Sequence, residues 1–143
     1  MIYKRILIAI DEEPSAEKVA QKGLQLGKQL NAEIAIISVA NTTDLLTDGG
    51  VTPDEMAEII RKDTRESQKK IRISIFKDYE VTQFVEEGKP YEVILKVAGE
   101  WNADILVIGT QSKSGLSQVL LGSVSEKVIK NSKIPVFLVT TKG

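Results

Sequence analysis

Arg5-Ile6-Leu7-Ile8-Ala9-Ile10, followed at once by Asp11, is apolar from its second residue to its sixth with no alternation. A strand with one face in water alternates. A run apolar at every position reads instead as a strand covered on both faces, the pattern of an inner strand in a parallel sheet. A second such run, Ile105-Leu106-Val107-Ile108, ends on Gly109. Between the two, Ala16, Val19, Ala20, Gly23, Leu24, Gly27 and Leu30 recur at helical spacing and predict a helix over about 15–30. Asn31 suits its left-handed stop. Ile34, Ile36, Ile37 and Val39 give another buried strand.

Residues 40–53 are polar and glycine-containing, a long irregular stretch of the kind that is functional or mobile in a compact domain. Residues 54–77 are highly charged, with Met56, Ile59, Ile60, Ser67 and Ile71 on one side, as in an amphipathic surface helix. Its end is ambiguous, because Ile71, Ile73 and Ile75 alternate as a strand would. Residues 81–86 predict a strand exposed on one side. Gly88-Lys89-Pro90 opens a helix carrying Val93, Ile94, Val97 and a core Trp101, and Asn102 ends it. A helix over about 123–131 and a strand over 134–139, with Pro135 at its start where a missing donor matters least, complete the chain. Asn31-Ala-Glu-Ile34 and Asn102-Ala-Asp-Ile105 are near copies that mark the same helix-to-strand corner used twice.

The resulting β-α-β-α-β-α-β-α-β order predicts one α/β domain over 1–143, a doubly wound five-stranded parallel sheet with helices on both faces and right-handed crossovers. With the two most apolar strands adjacent at the centre, the strand order is 3-2-1-4-5. Ligands in such sheets bind beyond the carboxyl ends of the strands where the winding reverses. Those ends are Ile10-Asp11 and Ile108-Gly109.

Composition narrows the chemistry. The chain has 143 residues, no Cys and no His. Disulfides, thiolate metal sites, cysteine nucleophiles and imidazole-based catalysis are therefore excluded, which leaves carboxylates, Lys, hydroxyls and backbone amides. A net charge of −1 supplies no bulk field for nucleic acid or an anionic membrane. Too short an apolar run at the N-terminus for a signal peptide, and none elsewhere long enough to span a bilayer, lead to the expectation of a cytoplasmic protein.

The segment from Gly109 to Ser123 (GTQSKSGLSQVLLGS) links an inner strand to a helix start. Its small residues, Gly109, Ser112, Gly115, Gly122 and Ser123, allow either of two readings. They let backbone amides and a helix N-terminus cradle a phosphate, or they only shape turns while Ser123 caps the helix. The spacing is neither a Walker A loop nor GxGxxG. Across the crevice, Asp11 is suited to a ribose hydroxyl or a hydrated Mg²⁺, or to capping beside Pro14. Lys113 reads as a solvated loop charge, and the pairs Glu12-Glu13 and Glu86-Glu87 as solvated turns.

Taken with Ile6-Leu-Ile-Ala-Ile-Asp11, Val85-Glu-Glu-Gly-Lys-Pro90, Ala103-Asp-Ile-Leu-Val-Ile-Gly-Thr110, Leu120-Leu-Gly-Ser-Val-Ser-Glu-Lys-Val128 and Ile134-Pro-Val-Phe-Leu-Val139, the chain resembles a universal stress protein domain over essentially its whole length. ATP-binding members of that family carry G-x-x-G-x9-G-[ST]. Here the pattern is Gly109-x-x-Ser112-x9-Gly122-Ser123, which departs at the second glycine. The resemblance implies an ATP-binding stress or signalling protein, with or without Mg²⁺; one carboxylate and one loop lysine are too few for phosphoryl transfer, so no enzyme is expected. It implies adenine against Ala9, Ile10 and Val39, with Asp11 near the nucleoside. Phosphates are implied along Ile108, Gly109, Ser112, Gly122, Ser123, Val124 and Ser125; at the departure Ser112 either strains the loop or displaces the anion, or its hydroxyl donates to phosphate, or Gly115 supplies the flexibility. It also implies a homodimer through the apolar edge Val136–Val139, where an edge exposed in a monomer would ordinarily be blunted by charge.

Overall fold

The computed structural model describes residues 3–11, 15–43, 45, 49–110 and 121–141. Strands β1 (Arg5–Ala9), β2 (Glu33–Ala40), β3 (Val81–Glu87), β4 (Ile105–Gly109) and β5 (Val136–Val139) form one parallel sheet in the order β3-β2-β1-β4-β5. This is the expected doubly wound arrangement. Helices α1 (Ser15–Leu30) and α2 (Pro53–Ile71) cover one face, and α3 (Pro90–Glu100) and α4 (Ser123–Asn131) the other.

The unbroken apolar run in β1 is explained by that double cover. Ile6 and Ile8 pack with Ala16, Val19, Ala20, Ile71 and Phe76 on one side. Leu7 and Ala9 pack with Ile94, Val97, Ala98 and Val128 on the other. Burial of both faces removes the need for polar residues at alternate positions. β3 lies at an edge and is only part-buried, which accounts for Thr82, Gln83, Glu86 and Glu87 among its residues.

Two near-identical corners set the helix-to-strand turns. Asn31 and Asn102 take φ of 53° and 60°. In the first, the Asn31 and Ala32 amides donate to the Lys28 and Gly27 carbonyls at 3.2 and 2.9 Å. In the second, the Asn102 and Ala103 amides donate to Gly99 and Ala98 at 3.2 and 2.9 Å. Both are Schellman closures, in which the left-handed residue and its successor satisfy the last helical carbonyls. Each corner then hands its acidic residue to β1, the Glu33 and Asp104 amides donating to Lys4 and Arg5 carbonyls at 2.8 Å.

The ambiguous stretch after residue 71 is helical. α2 opens with a reciprocal capping box between Thr52 and Glu55 and continues into a π-helical turn, Arg72–Phe76, whose Lys77 amide reaches back five residues to the Arg72 carbonyl at 3.2 Å. At ordinary α spacing of about 100° per residue, positions 71 and 76 would point well apart. The wider π turn brings Ile71 and Phe76, both 1% exposed, to the same core. Ile73 is 56% exposed, so the alternation that resembled a strand is incidental. Ile59, expected on the buried side, is 49% exposed, and the buried stripe runs instead through Ala57, Gln68 and Ile71. β5 begins at Val136, later than expected, because the Pro135 carbonyl already accepts from Leu106 at 3.0 Å while its nitrogen has nothing to donate. Among the described residues no helix is long and apolar enough to cross a membrane.

α1 sits close to the sheet because its facing residues are glycines. A Cβ on Gly23 would collide with Cδ1 of Ile8 and lie 2.8 Å from its Cγ1, and one on Gly27 would meet Ile34 in the same way. Gly23→Ala is therefore expected to lose about 1 kcal/mol of stability in denaturant titration, overpacking outweighing the ~1 kcal/mol that alanine gains as a helix former. Combined with Ile8→Val, which removes Cδ1, it should be less destabilising than the sum of the two single changes.

Candidate functional site

The site follows from where the strand pairing stops. β1 pairs with β4 from Ile6–Ile105 through Ile8–Val107. Beyond that point the two strands follow opposite neighbours. The Ile10 amide donates to Ile37 of β2 at 2.8 Å, while Gly109 is in register with Val139 of β5 and the Thr110 amide donates to the Val139 carbonyl at 2.9 Å. A crevice opens between the parted ends, at the place the winding order predicts.

It has a volume of about 90 Å³, several times the ~10–15 Å³ that one water requires. Its walls include the expected Ala9, Ile10, Asp11, Val39, Ile108, Gly109, Val124 and Ser125. Gly122 and Ser123 stand at the start of α4, next in the chain to the lining residues Val124 and Ser125, and do not themselves line the crevice. Ser112 and Gly115, with Lys113, lie outside the described residues. Ser15, Val19, Ile37, Pro90 and Ile94 also line the crevice and were not anticipated. Pro90 had a signal, since it ends the Val85–Pro90 corner; Val19, Ile37 and Ile94 read as core, and core they largely are.

The two ends of the crevice differ chemically. Ile37, Val39, Ile94 and Ile108 make an apolar wall suited to a flat ring. At the other end α4 begins at Gly122, in an extended conformation with no side-chain cap, so Ser123 is the first helical residue and not the cap. The Glu126 amide is the one that closes the first turn, onto the Gly122 carbonyl at 3.0 Å. The amides before it have no intrahelical acceptor and carry the positive end of the helix dipole. This helix start is fixed to the sheet twice: the Gly122 amide donates to the Thr110 carbonyl at 2.8 Å, and the buried Ser125 hydroxyl donates to the Gly109 carbonyl at 2.5 Å. Gly109 is required at that junction, where a Cβ would come within 2.8 Å of Val19 and Thr141 side-chain carbons. Asp11 is exposed at the lip and is the only ionisable side chain among the described lining residues.

Nearby, Glu86 is exposed as expected, but Glu87 is not a free turn residue. It accepts from Arg61 and Thr42. The Arg61 guanidinium, then the Thr42 hydroxyl, hold its carboxyl below the ordinary value of 4.5, and Glu87 in turn raises Arg61. A lowered carboxylate favours the fold at pH above that ordinary value and loses its contribution as pH falls through the lowered one.

A sheet of this order, with a crevice at its switch point, defines a doubly wound α/β domain with an opening where such sheets take ligands. The universal stress protein family model matches residues 2–140. Universal stress protein MJ0531 of Methanocaldococcus jannaschii is 32% identical across 96% of this chain and 82% of its own length. Universal stress protein MJ0577 of the same organism is 31% identical across 100% of this chain and 98% of its own; its solved structure superposes with a TM-score of 0.78, covering 100% and 99% of the two chains at 27% identity. A universal stress protein solved in complex with cAMP shares the fold at a TM-score of 0.65 and 21% identity, covering 99% and 100%. The chain belongs to the universal stress protein family.

Ser125→Ala removes the donor to a buried carbonyl and is expected to cost about 1–3 kcal/mol. Urea unfolding of the variant measures it; Ser125→Thr, which keeps the hydroxyl, should retain more of the stability.

Proposed function

We propose that this protein is an adenine-nucleotide-binding stress-response module, with ATP held in the crevice between the ends of β1 and β4. The observation that carries this reading is the pairing of an apolar wall with an uncapped helix start across one small opening. A purine gains from the wall, and an anionic phosphate from the first-turn amides of α4, which have no intrahelical acceptor and carry the positive end of its dipole. In this reading adenine packs against Ala9, Ile10 and Val39, and Asp11 accepts from the ribose. The phosphates run past Ile108 and Gly109 to Gly122, Ser123, Val124 and Ser125. Mg²⁺, if it accompanies the nucleotide, is held by phosphate oxygens and, through water, by Asp11. The cAMP complex of a family member, an adenine joined to a phosphate, is consistent with that ligand class.

The module binds rather than turns over. Phosphoryl transfer needs positioned metal, cationic clamping and a residue orienting the nucleophile, and the described lining supplies one carboxylate. The same proposal includes a homodimer joined along Val136–Val139, supported by Phe137 and Leu138, which are 41% and 37% exposed on that edge. It also includes a cytoplasmic protein with no nucleic-acid or membrane partner, in keeping with the net charge of −1.

A second reading, a nucleotide-independent interaction protein, is favoured by Ser112 standing where ATP-binding members have glycine. Titration calorimetry and thermal unfolding with ATP and Mg²⁺ separate the two. Nucleotide binding is expected, with about 2.7 kcal/mol of stabilisation at a hundredfold excess over Kd, a weaker affinity in Asp11→Ala and little change in Ser112→Gly. No heat and no stabilisation at millimolar nucleotide, with binding gained in Ser112→Gly, would establish the second reading.

A further inference from the structure

The pairing of β2 with β3 runs as far as Ala40 and Glu87. Just past it three elements converge on one carboxylate. Arg61 of α2 donates from Nε to Glu87 Oε2 at 2.6 Å and from Nη2 to Oε1 at 3.2 Å, while its Nη1 donates to Glu58 at 2.9 Å. Thr42, on the chain leaving β2, donates its hydroxyl to Glu87 Oε1 at 2.8 Å. A single exposed ion pair is worth little, but a forked guanidinium contact shared with a second carboxylate and a hydroxyl is the geometry in which such pairs hold position.

The convergence matters because of what lies beside it. The Gly88 amide donates to the Ala40 carbonyl at 3.1 Å, joining the exits of β2 and β3. Gly88 has φ of +139°, and a Cβ there would come within 3.0 Å of Val93, so this joint is specific to glycine. Val39 immediately precedes Ala40, Pro90 follows two residues after Gly88, and both wall the crevice.

We propose that Arg61 is a positioning residue for the nucleotide site: acting through Glu87, it clamps the exits of β2 and β3 and fixes the separation of Val39 and Pro90, coupling nucleotide occupancy to the seat of α2. The inference rests on the proposed nucleotide binding. Coupling of this kind is reciprocal, so nucleotide tightens the clamp as much as the clamp favours nucleotide. α2 also carries the exposed Ile59, two residues from Arg61, so its placement presents an altered outer surface.

The test has two readouts. Without nucleotide, Arg61→Ala should accelerate hydrogen exchange at the Gly88 amide relative to the unaltered protein, with the unfolding midpoint little changed because the Arg61 and Glu87 side chains keep 36% and 41% of their surface in water. With ATP and Mg²⁺, calorimetry should show affinity weakened about fivefold in Arg61→Ala, the low end of ordinary inter-site coupling. Arg61→Lys should weaken it similarly, since it keeps the charge but not the fork, and the exchanged pair Arg61→Glu with Glu87→Arg should recover part of the loss. Unchanged Gly88 exchange overturns the clamp whether or not nucleotide binds. Faster exchange with unaltered ATP affinity overturns the positioning role alone. An unaltered protein that binds no ATP overturns the proposed function, and the positioning role with it, even where Gly88 exchange responds as expected.

Discussion

The architecture depends on two inner strands that are buried on both faces and paired with each other only in part. Over Ile6–Ile8 of β1 and Leu106–Val107 of β4 each residue is in register with a strand on either side. One residue further on, each strand has to choose. A right-handed crossover places the helix following β1 on one face and the helix following β4 on the other, so the chain leaving β1 and the chain leaving β4 diverge. The crevice is the geometric result of that divergence and needs no residue dedicated to making it. What residues contribute is its character: apolar side chains from β2, α3 and β4 at the back, and the uncapped turn of α4 at the front.

The same constraint explains why much of the fold was legible in the sequence. Double burial forbids polar residues over Ile6–Ala9 of β1 and in β4, and that absence is a strong signal because it is costly to counterfeit. Asn31 and Asn102 were equally readable, since few residues other than glycine adopt a left-handed backbone cheaply and each asparagine stands where a helix must reverse into a strand. Lys77, which ends the π-helical turn with φ of 42° and ψ of −107°, lies outside the left-handed helical region and carries no residue-type signal. The π-helical turn before it was also unreadable. Its cause is the need to return Ile71 and Phe76 to one core, a tertiary demand that local spacing does not encode.

The site was legible in its strand ends and less so in its walls. Asp11, Ile108 and Gly109 mark termini of apolar runs, so their position relative to the switch point follows from the order of elements alone. Ile37 and Ile94 have the same pattern as any core residue; nothing in their spacing distinguishes a side chain packed against a neighbour from one that stops at the edge of an opening. Glu87 shows the opposite failure. Two adjacent glutamates before a glycine read as solvent-facing, because the arginine that engages Glu87 is 26 residues earlier on a different element.

Most of the long-range polar contacts gather at the two ends of the sheet, where strand pairing stops; an exception is the buried Gln68, whose amide donates to the Ser38 hydroxyl of β2 at 3.0 Å and the Phe84 carbonyl of β3 at 2.8 Å. At the amino ends of the strands, the Asp104 carboxylate accepts from the Lys4 and Arg5 amides at 2.8 and 2.9 Å, and the Arg5 guanidinium donates to the Trp101 carbonyl at 2.7 Å and lies 5.2 Å from the Trp101 ring. At the carboxyl ends, Ser125, Thr42, Glu87 and Arg61 tie helices and loops to the strands they leave. The asymmetry lies in what is tied. The lower contacts join β1 to the β4 corner and to Trp101, whose ring meets Phe84 edge-on at 6.5 Å. The upper contacts tie the rim of an opening in two different ways. The Ser125 bond is buried and holds the start of α4 to β4, whereas the Thr42–Glu87–Arg61 network lies at the surface and is the easier of the two to open.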